Sequence, residues 1–417
     1  MRRPPFFHHG LRRQTIRALY AAATDWATFT ARRKAGAATP LAGAEPLLVA
    51  GFFSEPSGLG RAADLTLLGL RHAGLNPVSL PLRDLIAGDH VSLSGQADGG
   101  ALLLHCNPDE AVRVLARTPA RAWKNRRRIG YWAWELPIVP PRWRRAAGLF
   151  HELWAPSRFV ADALVAGGIK APIRVMPHPV SLGVARPARD RARWSLPADG
   201  FSILVMADFR SSATRKNIDG AIEIVRRASA LGSRATLILK MRQANTAHVT
   251  HLRQGLEDHV DLRIMTDELD HAGTLSLLAS VDVLLSPHRS EGFGLALAEA
   301  FLAGTPALAT GWSGNMEFMS GLAPLLIDYE LAPVSDPTGI YKGASQSWAE
   351  PSLDDAVQKL RNLAAFRSQR HDLAKRGAEA VEAKSAAWDG PQLAGTALLG
   401  LQAGQPHFGA APRAKTS

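Results

Sequence analysis

The chain of 417 residues has a single cysteine, Cys106, and no apolar run long enough to cross a membrane. One cysteine cannot form an internal disulfide, and it lacks the neighbours that a zinc site would need. A membrane-spanning helix needs about 20 mostly apolar residues, so we expect none. A charged segment, rather than a clean apolar core, follows the basic start, so we expect no signal peptide. These features predict a protein of the reducing cytoplasm.

Basic residues outnumber acidic ones by 49 to 37, which gives a formal net charge of +12. Part of the excess lies in residues 1–34, where Asp25 is the one acid. Further basic clusters at 121–128 and 141–146 contain tryptophan. This distribution fits a solvated basic face, an anionic membrane surface or a nucleic acid. The basic residues at the start of the chain are Arg2, Arg3, Arg12, Arg13, Arg17, Arg32, Arg33 and Lys34.

Residues 1–44 are basic and then rich in Ala, Gly and Pro, so we predict that they form an extension ahead of the first domain. Within this extension, positions 11–33 have the spacing of an amphipathic helix. Its apolar side would carry Ile16, Leu19, Ala23 and Trp26.

From residue 46 onward, short apolar runs alternate with segments of helical periodicity. The alternation predicts an α/β fold in which helices cover both faces of parallel sheets. A chain of this length is too long for one core, and its rhythm breaks over 181–199, where proline and charge accumulate. We therefore predict two Rossmann-like domains, over 45–185 and 186–384. A C-terminal helix and a flexible tail would follow over 385–417.

Gly58 and Gly60 lie between the first predicted strand and its helix. Small residues at this point allow a ligand to approach the backbone at a helix N-terminus. The spacing does not match the dinucleotide-binding pattern G-x-G-x-x-G. A glycine loop of this kind is also common in α/β folds for steric reasons alone.

Three cations follow the first strand of the second predicted domain, just before a helix: Arg210, Arg215 and Lys216. A diphosphate is a natural partner for them, because arginine offers a fork of donors and lysine a point charge. A basic turn exposed to solvent is the alternative interpretation.

The most informative segment is 286–301, SPHRSEGFGLALAEAF. A buried strand ends in a loop with Glu291, Gly292 and Gly294, and the next helix carries Glu299. Backbone amides at such a helix N-terminus favour an anion, and the two carboxylates can accept hydrogen bonds from sugar hydroxyls. This combination suits a nucleotide sugar. Pairing of Glu299 with a nearby arginine is the structural alternative.

Glu291 and Glu299, with EGFG at the start of the segment between them, resemble the E-x7-E signature of the family 4 (group 1) retaining glycosyltransferases. The SGN at 313–315, the RKN at 215–217 and the GLG at 58–60 also resemble motifs of this family. The resemblance covers roughly residues 46–384, and it implies a GT-B fold in which two Rossmann-like domains face a cleft.

The resemblance also implies roles for individual residues on the donor side. Glu299 would hold the ribose hydroxyls, and Lys216 would contact the diphosphate. Glu291 and the backbone amides of Gly292, Phe293 and Gly294 would face the transferred sugar. The family's G-R pair after the strand is missing here, so either Arg210 or Arg215 could supply the partner arginine.

In the first domain, Gly58 and Gly60 would bind the donor by allowing the first loop to close over the diphosphate and the acceptor. Many relatives carry a histidine near the reacting sugar. His105 is the candidate for that role, and a core histidine is its alternative. Glu135, in a loop after a strand, could contact acceptor or donor, or could be a paired surface carboxylate. Lys240 and the loop 266–270 would lie near the base.

The chain has no Asp-x-Asp pair, which argues against a metal-bridged diphosphate and for cationic side chains in that role. We therefore expect a metal-independent hexosyltransferase that uses no cofactor and retains configuration. Its partners would be a nucleotide-sugar donor and a glycan or lipid-linked acceptor of polysaccharide or lipopolysaccharide biosynthesis.

The basic N-terminus makes an anionic membrane surface a candidate partner, which would place the enzyme in the cytoplasm or on the inner face of the membrane. No nucleic acid is expected. A sugar-nucleotide epimerase of the same fold, or a basic binding protein for membrane or nucleic acid, is the alternative.

Overall fold

The protein is described by a computed structural model. The residues that the structure describes are 6–35, 45–89, 91–183, 187–209, 212–229, 235–242, 260–337, 341, 346–396 and 398. The candidate Arg210 and the predicted flexible tail from about residue 404 lie outside them.

The first half of the chain forms a sheet of six parallel strands in the order β2-β1-β3-β4-β5-β6. Its central strands read as continuous apolar runs because helices cover both faces, and every residue of β1 and β3 is buried. The strands are β1 (Leu47–Gly51), β2 (Val78–Pro81), β3 (Ala101–His105), β4 (Arg127–Tyr131), β5 (Glu152–Ala155) and β6 (Ile173–Val175).

A second sheet of six parallel strands follows, in the order β12-β11-β10-β7-β8-β9. The two sheets confirm the predicted α/β architecture of two Rossmann-like domains. The strands are β7 (Phe201–Asp208), β8 (Ala235–Arg242), β9 (Val260–Met265), β10 (Val283–Ser286), β11 (Ala307–Thr310) and β12 (Leu326–Ile327).

The strand order reverses once in each sheet, between β1 and β3 in the first and between β7 and β10 in the second. The loops that leave such neighbouring strands in opposite directions open a crevice at their carboxyl ends, where α/β proteins bind ligands. The Gly58 loop follows β1, and the Glu291 loop follows β10. Topology therefore places both glycine loops at the switch points.

The longer helices lie where periodicity predicts them, whereas several short helices were not predicted. Those of the first half are α1 (Phe6–Ala35), α2 (Gly58–His72), α3 (Leu82–Ala87), α4 (Val91–Ser94), α5 (Pro108–Arg117), α6 (Pro141–Ala147) and α7 (Arg158–Ala166). Those of the second half are α8 (Ala213–Lys216), α9 (Ile218–Ser229), α10 (His271–Ser280), α11 (Leu295–Leu302), α12 (Met316–Met319), α13 (Leu353–Ala365), α14 (Arg367–Glu382) and α15 (Gly390–Ala394). None of the helices in the described part of the chain has both the length and the apolar character that a bilayer span requires.

The helix predicted over 11–33 is present as α1, and it packs against α5 of the first domain. Thr24, Ala27, Thr28 and Ala31 form its buried face. The predicted apolar side is the opposite one, because Leu19, Ala23 and Trp26 are exposed. The small residues of α1, rather than its large ones, therefore face the domain.

A hairpin of two antiparallel strands, β13 (Tyr329–Pro333) and β14 (Ser347–Pro351), stands apart from both sheets. The sequence pattern does not predict it, because only Trp348, Ala349 and Pro351 of β14 and no residue of β13 are buried. Gln346, just before β14, exchanges two hydrogen bonds of 2.9 Å with the backbone of Ile138 in the first half. The hairpin thus connects the two halves.

The end of the chain returns to the first domain. A 3-10 helix over Ala383–Trp388 follows α14 and carries the buried Trp388. The Trp388 indole donates a hydrogen bond of 2.6 Å to the carbonyl of Pro177, and its ring lies edge-on to Trp154 at 5.7 Å. A Cβ atom at Gly69 would lie 2.4 Å from this indole, so only glycine allows the close approach.

We predict that Trp388→Ala lowers the free energy of unfolding by about 3–5 kcal/mol, because it leaves a cavity and an unpaired carbonyl in the first core. Urea unfolding followed by circular dichroism measures the change. The matched control is Phe366→Ala, whose ring is 57% exposed and should cost less than about 0.5 kcal/mol. Equal effects of the two substitutions would contradict the assigned role of Trp388.

Candidate active site

The loop between β10 and α11 is held by close backbone contacts. Gly294 caps α11 with a φ of +94°, a conformation that favours glycine. A Cβ atom at Gly292 would lie 3.1 Å from the carbonyl oxygen of Trp134, and one at Gly314 would lie 2.1 Å from that of Gly292. The Ser157 hydroxyl, at the end of β5, donates to the Gly292 carbonyl at 2.7 Å. The glycines therefore allow both halves to approach this loop.

The backbone amides of Gly292, Phe293 and Gly294 indicate a site for an anion. No described residue accepts a hydrogen bond from any of the three, although all three residues are buried. Buried amides normally have partners, and these amides stand at the N-terminus of a helix. They offer donors and a positive partial charge to an incoming anion.

The Glu291 carboxylate lies between two cations that the sequence analysis singled out. The Lys216 ammonium contacts its Oε1 atom, and the Arg215 guanidinium lies 3.2 Å from its Oε2 atom. Burial alone would raise the pKa of Glu291, but Lys216 and Arg215 outweigh it and lower that pKa far below its usual range. Glu291 is therefore ionised at neutral pH.

Arg215 has a structural task as well as a charge. Its guanidinium donates a hydrogen bond of 2.6 Å to the carbonyl of Ser290, and it is almost fully buried. Burial by itself would lower the pKa of Arg215, but Glu291 raises it overall. Lys216 remains partly exposed. Lys216 is therefore the better placed of the two for an incoming anion.

Ser313 and Asn315 of the SGN motif hold the loop through hydrogen bonds to Glu291 and His288. The Ser313 hydroxyl accepts a hydrogen bond of 2.7 Å from the Glu291 amide. Ser313 has a φ of +78°, which a non-glycine residue rarely adopts. Asn315 donates to the carbonyl of Thr310 at 3.0 Å and pairs with the His288 ring at 3.1 Å. Backbone strain of this kind concentrates at functional sites.

Glu299 lies on the buried side of α11, and the first domain provides its partner. Arg61, on α2, donates two hydrogen bonds. Its Nε atom donates to the Glu299 Oε1 atom at 3.1 Å, and its Nη2 atom donates to the carbonyl of Gly183 at 2.9 Å. The His271 ring lies 3.7 Å from the same oxygen. No described residue forms a hydrogen bond to the Oε2 atom, which leaves this oxygen for a ligand. Sequence reasoning missed Arg61, although it directly follows the GLG loop.

Glu135 lies beside Glu291, Lys216 and Arg215, which together we call the Glu291 cluster. Its backbone carbonyl accepts from the Ser290 hydroxyl, and its carboxylate accepts a hydrogen bond of 3.3 Å from the Tyr341 hydroxyl. Burial and then the neighbouring Glu135 carboxylate raise the pKa of Tyr341, so its phenol stays protonated. Tyr341 is a second residue that the sequence analysis missed, because it belongs to the region of the hairpin.

His105 forms no hydrogen bond or ring contact with Glu291, Lys216 or Arg215; its partners are in the first domain. It is buried at the end of β3, where its Nδ1 atom pairs with the Thr66 hydroxyl at 2.9 Å and its ring contacts Tyr131. The histidine in contact with the loop is His178, whose ring lies 4.9 Å from that of Phe293. Burial and the charge of Arg61 lower the pKa of His178 to about 3, so it is neutral at physiological pH.

Gly58 and Gly60 lie in the first turn of α2 rather than in a loop before it, and their surroundings differ. Gly60 is buried, and a Cβ atom there would lie 2.3 Å from the carbonyl of Glu55. Gly58 is exposed, with open space where its Cβ atom would be. The Ser57 hydroxyl caps α2 by accepting the Gly60 amide at 3.0 Å. Packing thus explains Gly60, whereas Gly58 leaves room for a ligand.

Lys240, at the carboxyl end of the second sheet, contacts the loop that was expected to lie near a base. Its ammonium donates to the carbonyl of Asp267. Arg242, the last residue of β8, pairs with Glu268 at 3.1 Å.

Among the described residues, no group of three His, Cys, Asp or Glu side chains could hold a metal ion.

Comparison with known proteins identifies the family. A family model described as "Family 4 Glycosyltransferase in conflict systems" matches residues 161–389, which is more than half of the chain. The chain belongs to this glycosyltransferase family. The matched segment contains Lys216, Glu291 and Glu299. No curated protein matches the chain in sequence.

Solved structures share the fold of this glycosyltransferase at low sequence identity. HepE from Anabaena, in complex with UDP and glucose, is 14% identical with a TM-score of 0.56 over 84% of this chain and 98% of that one. Sucrose-phosphate synthase from Thermosynechococcus elongatus is 15% identical with a TM-score of 0.56 over 81% and 94%. A trehalose-6-phosphate structure from E. coli, bound with UDP-2-fluoro glucose, is 13% identical with a TM-score of 0.55 over 82% and 96%. At these identities the likeness establishes the GT-B fold.

Proposed function

We propose that this glycosyltransferase moves a hexose from a nucleotide-diphosphate sugar to a glycan or lipid-linked acceptor, with retention of configuration and without a metal ion. The observation that carries the proposal is the Glu291 cluster. Lys216 and Arg215 pair with Glu291 at the switch point of the second sheet, and the three buried amides that follow Glu291 at a helix N-terminus have no partner in the described part of the chain. Cations and free amides together match a diphosphate.

The charge balance of the cluster explains how the donor would bind. The single Glu291 carboxylate pairs with both Lys216 and Arg215, so the three side chains together carry a net charge of +1. A diphosphate would bring its negative charge to Lys216 and to the amides of Gly292, Phe293 and Gly294. Glu291 would then be free to accept hydrogen bonds from the hydroxyls of the transferred sugar. UDP is the first nucleotide to test, because HepE and the E. coli trehalose-6-phosphate structure contain UDP or a UDP sugar.

The proposed chemistry requires stabilisation of a leaving group rather than a protein nucleophile. The bond between the anomeric carbon and the diphosphate oxygen breaks as the acceptor oxygen attacks from the same face. The acceptor proton passes to the departing phosphate oxygen. Lys216 and the helix amides stabilise the charge that develops on the diphosphate, in a buried site where such interactions are strong. Glu135 and Tyr341 would border the acceptor.

The proposal extends to the acceptor and to the place where the enzyme works. We propose an acceptor from polysaccharide or lipopolysaccharide biosynthesis, and therefore a cytoplasmic enzyme that works at the inner face of the membrane. The acceptor is what the resemblance of the motifs to family 4 glycosyltransferases implies, and the support for the membrane is the excess of basic residues in the N-terminal helix. The roles of Gly58 and His105 near the reacting sugar remain predictions.

We predict that Lys216→Ala lowers kcat/KM for UDP-glucose by about 10²–10³-fold, because it removes a cation that stabilises the leaving diphosphate. Release of UDP in the presence of a glycan acceptor measures the change. The control is Lys170→Ala. Lys170 is an exposed lysine of the first half of the chain that does not belong to the cluster, so this variant should have unchanged kinetics. Wild-type kinetics in Lys216→Ala would remove Lys216 from the site. Turnover of the sugar nucleotide without any acceptor product would favour the epimerase.

A second prediction concerns the ribose. Glu299→Gln should weaken UDP binding roughly tenfold, because a charged acceptor of hydroxyl hydrogen bonds is lost. The affinity for 2′,3′-dideoxy-UDP should barely change, because this nucleotide lacks the hydroxyls in question. Titration calorimetry with both nucleotides gives the two ratios, and the dideoxy nucleotide controls for the loss of the Arg61 ion pair. An equal loss for both nucleotides would contradict the ribose assignment.

A further inference from the structure

An apolar stripe on the outer face of α1 has no role in the proposed chemistry. Leu19, Trp26 and Phe29 are 66%, 70% and 55% exposed, although they are large apolar side chains. Leu19 and Trp26 are seven positions apart, or two helical turns, so they lie on one line along the helix. The Phe29 ring lies 6.2 Å from the Trp26 ring. These three side chains form one stripe, which we call the outer face.

Packing of the opposite face fixes how the outer face is presented. Thr24, Ala27, Thr28 and Ala31 are buried against the domain. At the C-terminal end, Lys34 donates hydrogen bonds to the carbonyls of Ala116 and Thr118. Near the start of the described side chains, the Arg113 guanidinium stacks on the Tyr20 ring at 3.7 Å. The domain therefore holds α1 at several points and leaves the outer face turned to solvent.

Cations surround the aromatic pair. Arg33 lies two turns beyond Trp26 on the same line, and its guanidinium is 5.8 Å from the centre of the Phe29 ring. No described carboxylate pairs with Arg32 or Arg33. Asp25, the acid of this region, is paired with Arg145 of α6. A groove of about 660 Å³ between α1 and α6 is lined by Asp25, Thr28, Phe29, Arg32, Arg33 and Arg145. One carboxylate faces three guanidinium groups there, so the groove has a net positive charge.

We infer that the outer face of α1 docks this enzyme on the surface of an anionic lipid bilayer. Exposed aromatic side chains beside basic ones on one face of a helix can bind at the boundary between the headgroups and the acyl chains of a bilayer. The unpaired arginines suit anionic headgroups, and the aromatic pair suits the boundary between headgroups and acyl chains. Because the other face is bound to the domain, α1 would lie flat on the bilayer and tether the first domain to it.

This inference rests on the part of the proposed function that places the enzyme at the inner face of the membrane, and it names the surface that would bind the lipid. Transfer of the hexose does not depend on it. It can also be tested without a donor. A protein with a folded donor site could fail to bind lipid, and a lipid-binding protein could lack transferase activity, so the two proposals fail separately.

Co-sedimentation of the full chain with vesicles tests the inference. We expect binding to phosphatidylcholine vesicles that contain phosphatidylglycerol, little binding to phosphatidylcholine alone, and weaker binding at high salt. Trp26→Ser with Phe29→Ser should lower the partition coefficient by about tenfold or more. Arg32→Gln with Arg33→Gln should lower it by roughly fivefold per arginine.

The control is Leu331→Ser, at an apolar residue of β13 that is 55% exposed, and it should bind like the wild type. Circular dichroism checks that each variant is folded. Equal binding to both kinds of vesicle, or full binding by the Trp26/Phe29 variant, would overturn the inference. So would a dimer, detected by analytical ultracentrifugation without lipid, that the Trp26→Ser substitution dissociates while vesicles bind neither protein. In that case a second copy of the chain covers the outer face.

Discussion

The buried ion cluster of Glu291, Lys216 and Arg215 is the interaction on which the site depends. A buried carboxylate without partners would be strongly destabilising, and so would a buried guanidinium. Here the two cations come from one loop–helix junction and the carboxylate from another, at the switch point between β7 and β10. Each charge offsets the cost of burying the others, and the cluster keeps positive groups near amides that no described residue accepts from. A diphosphate could replace the carboxylate as their counter-charge.

The same loop is also where the two domains meet. Ser157 contacts the carbonyl of Gly292, Glu135 accepts from Ser290, and Arg61 pairs with Glu299. All of these contacts join the carboxyl-end region of one sheet to that of the other. A ligand bound at the Glu291 loop would therefore lie next to residues of both domains. A Cβ atom at Gly292 would lie 3.1 Å from the carbonyl oxygen of Trp134, so a larger residue there would require this backbone to shift.

Much of this could be predicted from the sequence, because it is encoded locally. Apolar runs such as 101–106 predict strands, and the spacing of Glu291 and Glu299 predicts the loop and helix that carry them. Contacts between distant segments leave no such pattern. Arg61 and Glu299 are 238 positions apart, and Tyr341 reaches Glu135 from a hairpin whose first strand has no buried residue. The outer face of α1 shows a further limit, since periodicity locates an apolar stripe without telling whether protein or solvent covers it.

The central claim is that the Glu291 cluster binds a nucleotide diphosphate without a metal ion. Thermal unfolding of the wild-type protein with UDP, GDP and ADP, each in the presence and absence of EDTA, tests it most directly. Specific binding stabilises the folded state by about 2.7 kcal/mol at a ligand concentration 100 times Kd. The account predicts a rise in Tm with one nucleotide that persists in EDTA. No rise with any nucleotide, or a rise that EDTA abolishes, would contradict it.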